Sequence, residues 1–92
     1  MIIDLLKFTI KESFADKALE LMKRQMANNL GDEGCLFSNT FRSETNPNEL
    51  YLLLGWENKE SIEKHLKSDH DEKFREELDP MLAAPPEFLN MI

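Results

Sequence analysis

The chain has 92 residues, 41% hydrophobic and 32% charged, which fits one globular domain, residues 1–92, with a modest core. A chain of this size buries only roughly 60–65% of the surface it exposes when unfolded. Eleven Lys and Arg against 18 Asp and Glu leave a net charge of −7 with no basic cluster, which disfavours nucleic acid and anionic membranes as partners.

No window nears the ~20 apolar residues that cross a bilayer. The N-terminus, MIIDLLKF, lacks the basic segment and small-residue cleavage site of a signal peptide. One cysteine, Cys35, excludes an internal disulfide framework and fits a reducing compartment, so the cytoplasm is expected.

Residues 2–10 (IIDLLKFTI) are β-branched and aromatic and predict a strand that is apolar on both faces: Leu6, Phe8 and Ile10 on one, Ile3 and Leu5 on the other. Ser13 and Asp16 form a capping-box pattern that opens a helix. Its apolar stripe is Phe14, Ala18, Leu21, Met22, Met26 and Leu30, and Gly31 is placed to end it in the left-handed conformation. Met22 and Met26 belong to this core stripe.

Residues 35–43 (CLFSNTFRS) predict a second strand, with Cys35, Phe37, Asn39 and Phe41 on one face and Leu36, Ser38, Thr40 and Arg42 on the other. The turn chemistry of residues 45–48 (TNPN) then returns the chain into a third strand, residues 50–56, antiparallel to the second. Gly55 within it marks a bulge or a close approach by backbone or ligand. Asn58 can cap a short helix ending at Leu66, and Ser68 with Asp71 opens another carrying Phe74, Leu78 and Leu82 on one side. Pro80, Pro85 and Pro86 close this region, and residues 88–92 predict a last strand.

The order β-α-β, hairpin, β-α-α-β is the split arrangement of an α+β, ferredoxin-like antiparallel sheet. Helices cover only one face of such a sheet. Apolar residues on both strand faces therefore predict that a second copy covers the open face, giving a homodimer whose sheets form one α/β barrel.

Glu33-Gly34-Cys35-Leu36, Asn46-Pro47, Trp56-Glu57, His65 and Ser68-Asp69-His70 occur in an order and spacing that resemble the antibiotic biosynthesis monooxygenase family. Its most specific portion is W-E-x7-H-x-x-S-x-H, formed by Trp56, Glu57, His65, Ser68 and His70. The resemblance spans residues 2 to about 82. It implies a dimeric α/β barrel with a pocket between sheet and helices in each subunit. It also implies oxidation of a small quinol-like or polycyclic phenolic molecule by O2 without flavin, metal or other cofactor. Such chemistry needs an apolar pocket, a proton acceptor, and donors for a developing oxyanion. Two departures stand out. Many relatives carry an acidic residue where this chain has Leu54, and the Asn found on the first strand of haem-degrading members is missing from residues 2–10, which disfavours haem.

His65 and His70 are the candidate catalytic residues, as base or hydrogen-bond donor near neutral pH, against the alternative of helix capping. Five residues apart on one helix they diverge by ~140°, and a break near Ser68 can reunite them. Their spacing does not suit metal ligation, and further Cys and His ligands are lacking, so no metal is expected. Trp56 is either pocket wall or core. Asn39 either orients a substrate carbonyl or satisfies a backbone group, and Tyr51 either donates to an oxyanion or stands at an edge in water. Arg42 reads as a surface or interface ion-pair partner, Cys35 as a small buried hydrophobe, and Asp71-Glu72 with Glu76-Glu77 as solvated helix faces. Two other functions fit the same residues. One is an isomerase-type enzyme on a small oxo-compound with His as base, and the other is a non-catalytic small-molecule-binding dimer.

Overall fold

The computed structural model describes residues 1–89. Strand β1 is Ile2–Thr9, and after a single 3₁₀ turn (Glu12–Phe14) comes helix α1, Ala15–Leu30. Strands β2 (Cys35–Arg42) and β3 (Glu49–Trp56) form the hairpin. Helices α2 (Lys59–Leu66) and α3 (Asp69–Leu78), a 3₁₀ turn at Asp79–Met81 and the short strand β4 (Glu87–Phe88) follow. The sheet order is β2-β3-β1-β4 with every pair antiparallel, and the helices lie on one side. This is the α+β, ferredoxin-like arrangement expected from the element order. Among the described residues no helix is long and apolar enough to cross a membrane.

Strand alternation decides what each face does. On β3, Leu50, Leu52, Leu54 and Trp56 are buried under the helices, joined from β1 by Phe8 and from α1 by Ala18, Leu21 and Met22. Phe74, Leu78 and Met81 close the core from the other end. Ile3, Leu5, Phe37, Phe41, Tyr51 and Leu53 occupy the opposite face, which no helix covers. Phe41 there is 51% exposed.

Several local expectations are corrected. The Ser13 capping box does not form, because the 3₁₀ turn satisfies the entering backbone locally: Phe14 N–H donates to the Lys11 carbonyl at 2.9 Å. Phe14 is the N-cap residue of α1, without a side-chain cap, and Ser13 is exposed. Gly31 keeps a right-handed conformation (φ −81°), and the positive φ belongs to Gly34 (+82°). Leu30 is exposed and Met26 half-buried, while Gln25 and Asn29 are buried, because this face of α1 turns towards α3.

A bulge in β2 sits between Cys35 and Phe37: Cys35 pairs with Trp56 and Phe37 with Gly55. Cys35 thus joins the helix-covered core instead of the Phe37 face. Gly55 is needed for the close approach of Phe37, whose ring lies 2.2 Å from where a Cβ would stand. Ile10 lies beyond β1 as an isolated bridge to Leu82. Of the strand expected over residues 88–92, Phe88 falls in β4, and residues 90–92 lie outside the described residues.

Candidate functional site

The break between α2 and α3 builds the site. Asn58 Oδ1 accepts from the Ser61 amide at 2.9 Å and starts α2, whose inner face then buries Ser61 and His65 one turn apart. Ser68 works in both directions: its hydroxyl donates to the His65 carbonyl (2.6 Å) and accepts from the Asp71 amide (3.3 Å). The chain therefore changes direction there, and the two imidazoles that one helix would separate stand with ring centroids 5.6 Å apart.

Between them lies Asp32, in the loop after α1. One of its oxygens is 2.6 Å from His65 Nδ1 and the other 2.8 Å from His70 Nε2. Gly34 allows this placement. Its carbonyl accepts from Glu57 N–H (2.8 Å), and a Cβ there would meet Ser61 Oγ at 1.9 Å, so only glycine lets the loop lie against α2. On the far side, His65 Nε2 is 3.2 Å from Asp71 Oδ1, and Arg75 Nε donates to Asp71 Oδ2 at 3.0 Å. Gln25 Nε2 donates to His70 Nδ1 and to Asn29 Oδ1, each at 2.9 Å. An amide N–H at Nδ1 makes that nitrogen the acceptor, so the His70 proton sits on Nε2 and is donated to Asp32.

His65 is 6% exposed and has a carboxylate at each ring nitrogen. Burial opposes its charge, but the hydrogen bonds to Asp71 and Asp32 outweigh burial and raise its pKa above the ordinary 6.5. For Asp71, burial pushes the pKa up, while bonding to His65 and the Arg75 charge bring it below 3.8. Trp56 lies over the imidazole at a centroid distance of 4.8 Å, suited to an imidazolium facing an indole ring. Its Nε1 is buried without a partner among the described residues.

Asp32, His65 and His70 could each offer one ligand atom, and these atoms lie within 4.8 Å of one another. Ligation through His65 Nδ1 needs that nitrogen unprotonated, with the proton kept on Nε2 towards Asp71, the carboxylate partner a ligating imidazole commonly has.

His65 and Trp56 line a cavity of about 350 Å³ between the helix-side face of β1 and β3 and the inner faces of α2 and α3. Leu6, Phe8, Leu52, Leu54 and Phe74 make its wall apolar, and the C-terminal stretch adds Leu82, Pro86 and Phe88. Charged groups reach it at Asp4, His65, Asp71, Arg75 and Asp79. His70 stands behind His65 and lines a separate surface depression between α1 and α3 with Arg24, Lys73 and Phe74.

Asn39 and Tyr51 are not brought to this cavity. Their strand positions point them to the uncovered face, where Asn39 is exposed and Tyr51 O–H reaches Glu49 at 3.4 Å. Ser38 and Thr40 take the helix side of β2 instead, with Thr40 Oγ1 donating to the Met22 carbonyl. Arg42 pairs with Asp16 at 3.0 Å. The Cys35 thiol is pushed up by burial and by the Asp32 charge, so it is a poor nucleophile. Asp71, read as part of a solvated face, is 7% exposed. Asp32, Gln25 and Asp4 were not singled out from the sequence. Asp4 alone left a local sign, an acid in register with the apolar Ile2, Leu6 and Phe8 on the inward side of β1.

The model of the antibiotic biosynthesis monooxygenase family matches residues 1–77. No curated protein matches the chain. Among solved structures, it is similar to a conserved protein of unknown function from Bacteroides thetaiotaomicron. That match has 26% identity and a TM-score of 0.85, covering 98% of this chain and 97% of the other. A Nitrosomonas europaea protein named for the same monooxygenase family matches at 13% identity and TM-score 0.93, covering 100% and 97%. At 13% identity the likeness is one of fold.

Proposed function

The chain belongs to the antibiotic biosynthesis monooxygenase family, and on that premise we propose that it is a small cofactor-independent monooxygenase acting on a quinol-like or polycyclic phenolic molecule. The observation that carries this reading is the apolar cavity with an indole, Trp56, and a carboxylate-clamped imidazole, His65, in its wall. A phenol or enol that loses its proton becomes electron-rich enough to give an electron to O2 directly. In an anthrone-like substrate, one oxygen atom then ends in a new carbonyl and the other leaves as water with the two displaced hydrogens. The protein's part is to exclude water, hold the ring against Trp56, and set the charge of the His65 imidazolium, whose two N–H groups stay on Asp32 and Asp71, near the developing oxyanion. His70 acts through Asp32 as a positioning residue.

The test is oxygen consumption by metal-free protein with a panel of hydroquinones and anthrone-like phenols, each against its autoxidation blank. Uptake above blank is expected, falling about 100-fold in His65→Ala, the order seen when one electrostatic stabiliser of an oxyanion is removed. A flat trace across the panel rejects the proposal. The same acid–base groups would also serve an isomerase on an oxo-compound, which turns over equally well without oxygen.

A second copy covers the open face of the sheet in this proposal, forming the dimeric barrel. Asn39 and Tyr51 then belong to the interface side of each subunit. Cys35, unpaired and half-buried, is compatible with a cytoplasmic location.

A further inference from the structure

Asp4 is the charged residue of the cavity wall that packing leaves unexplained. It lies on the helix-facing side of β1 in register with Leu54, so its cross-strand neighbour is apolar. It is half-buried, and none of the ion pairs found among the described residues includes it. Facing the same cavity are His65 from α2, Asp71 and Arg75 from α3, and Asp79 at the C-cap of α3. Asp71 is already neutralised by His65 and Arg75. Asp79 is exposed to solvent, which leaves Asp4 as the half-buried carboxylate of this wall with free acceptor capacity. Burial raises its pKa above 3.8, partly countered by the positive field of His65. An isolated carboxylate in an apolar wall costs stability and needs a use.

We infer that Asp4 is the proton acceptor of the site, taking the hydroxyl proton of a phenol or enol substrate while His65 faces the oxyanion that forms. This inference rests on the phenolic reading of the cavity. The step is a single proton transfer: the substrate O–H bond breaks, the proton bonds to an Asp4 oxygen, and the electron pair stays on the substrate oxygen. Electron transfer to O2 follows it and does not involve Asp4. The arrangement also sets substrate class. Neutral weak acids enter with their proton, whereas a permanent anion such as a benzoate meets the Asp4 charge and is rejected.

The probe is 4-nitrophenol, whose absorbance separates phenol from phenolate, titrated against wild type and Asp4→Asn across neutral and alkaline pH. Above the pKa of free 4-nitrophenol, bound phenolate in the wild type shares the cavity with a protonated Asp4, so binding takes up about one proton and affinity falls about tenfold per pH unit. In Asp4→Asn the amide stands in for the protonated acid, so phenolate binds more tightly and that pH slope disappears. His65 also faces the cavity and titrates in both proteins, so the difference between the two slopes isolates Asp4. Oxygen uptake in Asp4→Asn is expected to drop about 100-fold, within the usual range for a general base. Its thermal midpoint at neutral pH is expected to rise slightly, since a half-buried charge without an ion-pair partner among the described residues is removed. Equal slopes and undiminished uptake in the two proteins overturn the role of Asp4 alone. If 4-nitrophenol binds neither protein, the phenolic reading of the cavity fails and this inference with it.

Discussion

At the scale of single residues, Asp32 holds the site together, because one carboxylate serves two imidazoles from two helices. Asp32→Asn leaves His65 with one carboxylate instead of two, so its raised pKa should drop towards the ordinary 6.5, measurable by imidazole proton NMR. Breaking a buried pair by removing one partner costs about 3 kcal/mol, and chemical denaturation should show a loss of that order. The pH dependence follows from the shifts. The folded-state pKa of His65 is raised, so its contribution to stability is full below 6.5 and is lost as pH climbs through the raised value. That of Asp71 is lowered, so its contribution is present above 3.8 and disappears as pH falls through the depressed value. Thermal midpoints should be highest between these limits, and His65→Gln should flatten the alkaline limb; an unchanged limb would mean His65 is neutral in the fold. Trp56→Phe deletes an indole N–H without a partner among the described residues but also removes volume from a fully buried side chain, so thermal denaturation should show a loss of about 1–2 kcal/mol beside any fall in oxygen uptake.

At the scale of elements, the two side-chain caps are unequal. Asn58 starts α2, and Asn58→Ala should cost about 1 kcal/mol. Ser68 both closes α2 and opens α3, and the direction change it enforces brings His70 next to His65. Ser68→Ala should therefore cost about 2 kcal/mol, the upper end for a cap, and should also lower oxygen uptake in the assay above. Equal stability losses with full activity in both variants would reduce Ser68 to an ordinary cap. These caps were legible in the sequence because Asn-x-x-Ser and Ser-x-x-Asp are local patterns, as were β1 to β3 and the two histidines. Asp32 was not, since nothing within its own loop says that α2 will lie across it; the close approach at Gly34 is a tertiary event. The missing cap at Ser13 has the opposite cause: a backbone 3₁₀ turn competed successfully for the same amides. Gln25 and Asn29 are polar residues outside the apolar stripe of α1, and only the docking of α3 explains their burial, with Gln25 bonded to both His70 and Asn29.

At the scale of the whole molecule, the two faces of the sheet are unequally covered. The helices bury the Leu50, Leu52, Leu54 and Trp56 row almost completely, while Ile3, Leu5, Phe37, Phe41, Tyr51 and Leu53 have no helix above them. A chain this short has little core to spare, and an apolar face of that kind is best stabilised by a self-complementary partner across a two-fold axis. A stable interface of standard size takes about 800 Å² from each subunit. Sedimentation should therefore give about twice the 10.7 kDa chain mass at micromolar concentration. Leu53 sits in the middle of that face, in register with Leu5 on one side and Asn39 on the other. Leu53→Lys would bury an ammonium against its own symmetry mate's surroundings and should yield monomers, with thermal stability becoming independent of protein concentration. The cavity opens on the other side of the sheet, so a folded Leu53→Lys monomer that still takes up oxygen would show that each subunit carries a complete site. A wild-type protein that sediments as a monomer would instead leave the open face facing water and remove the case for a barrel.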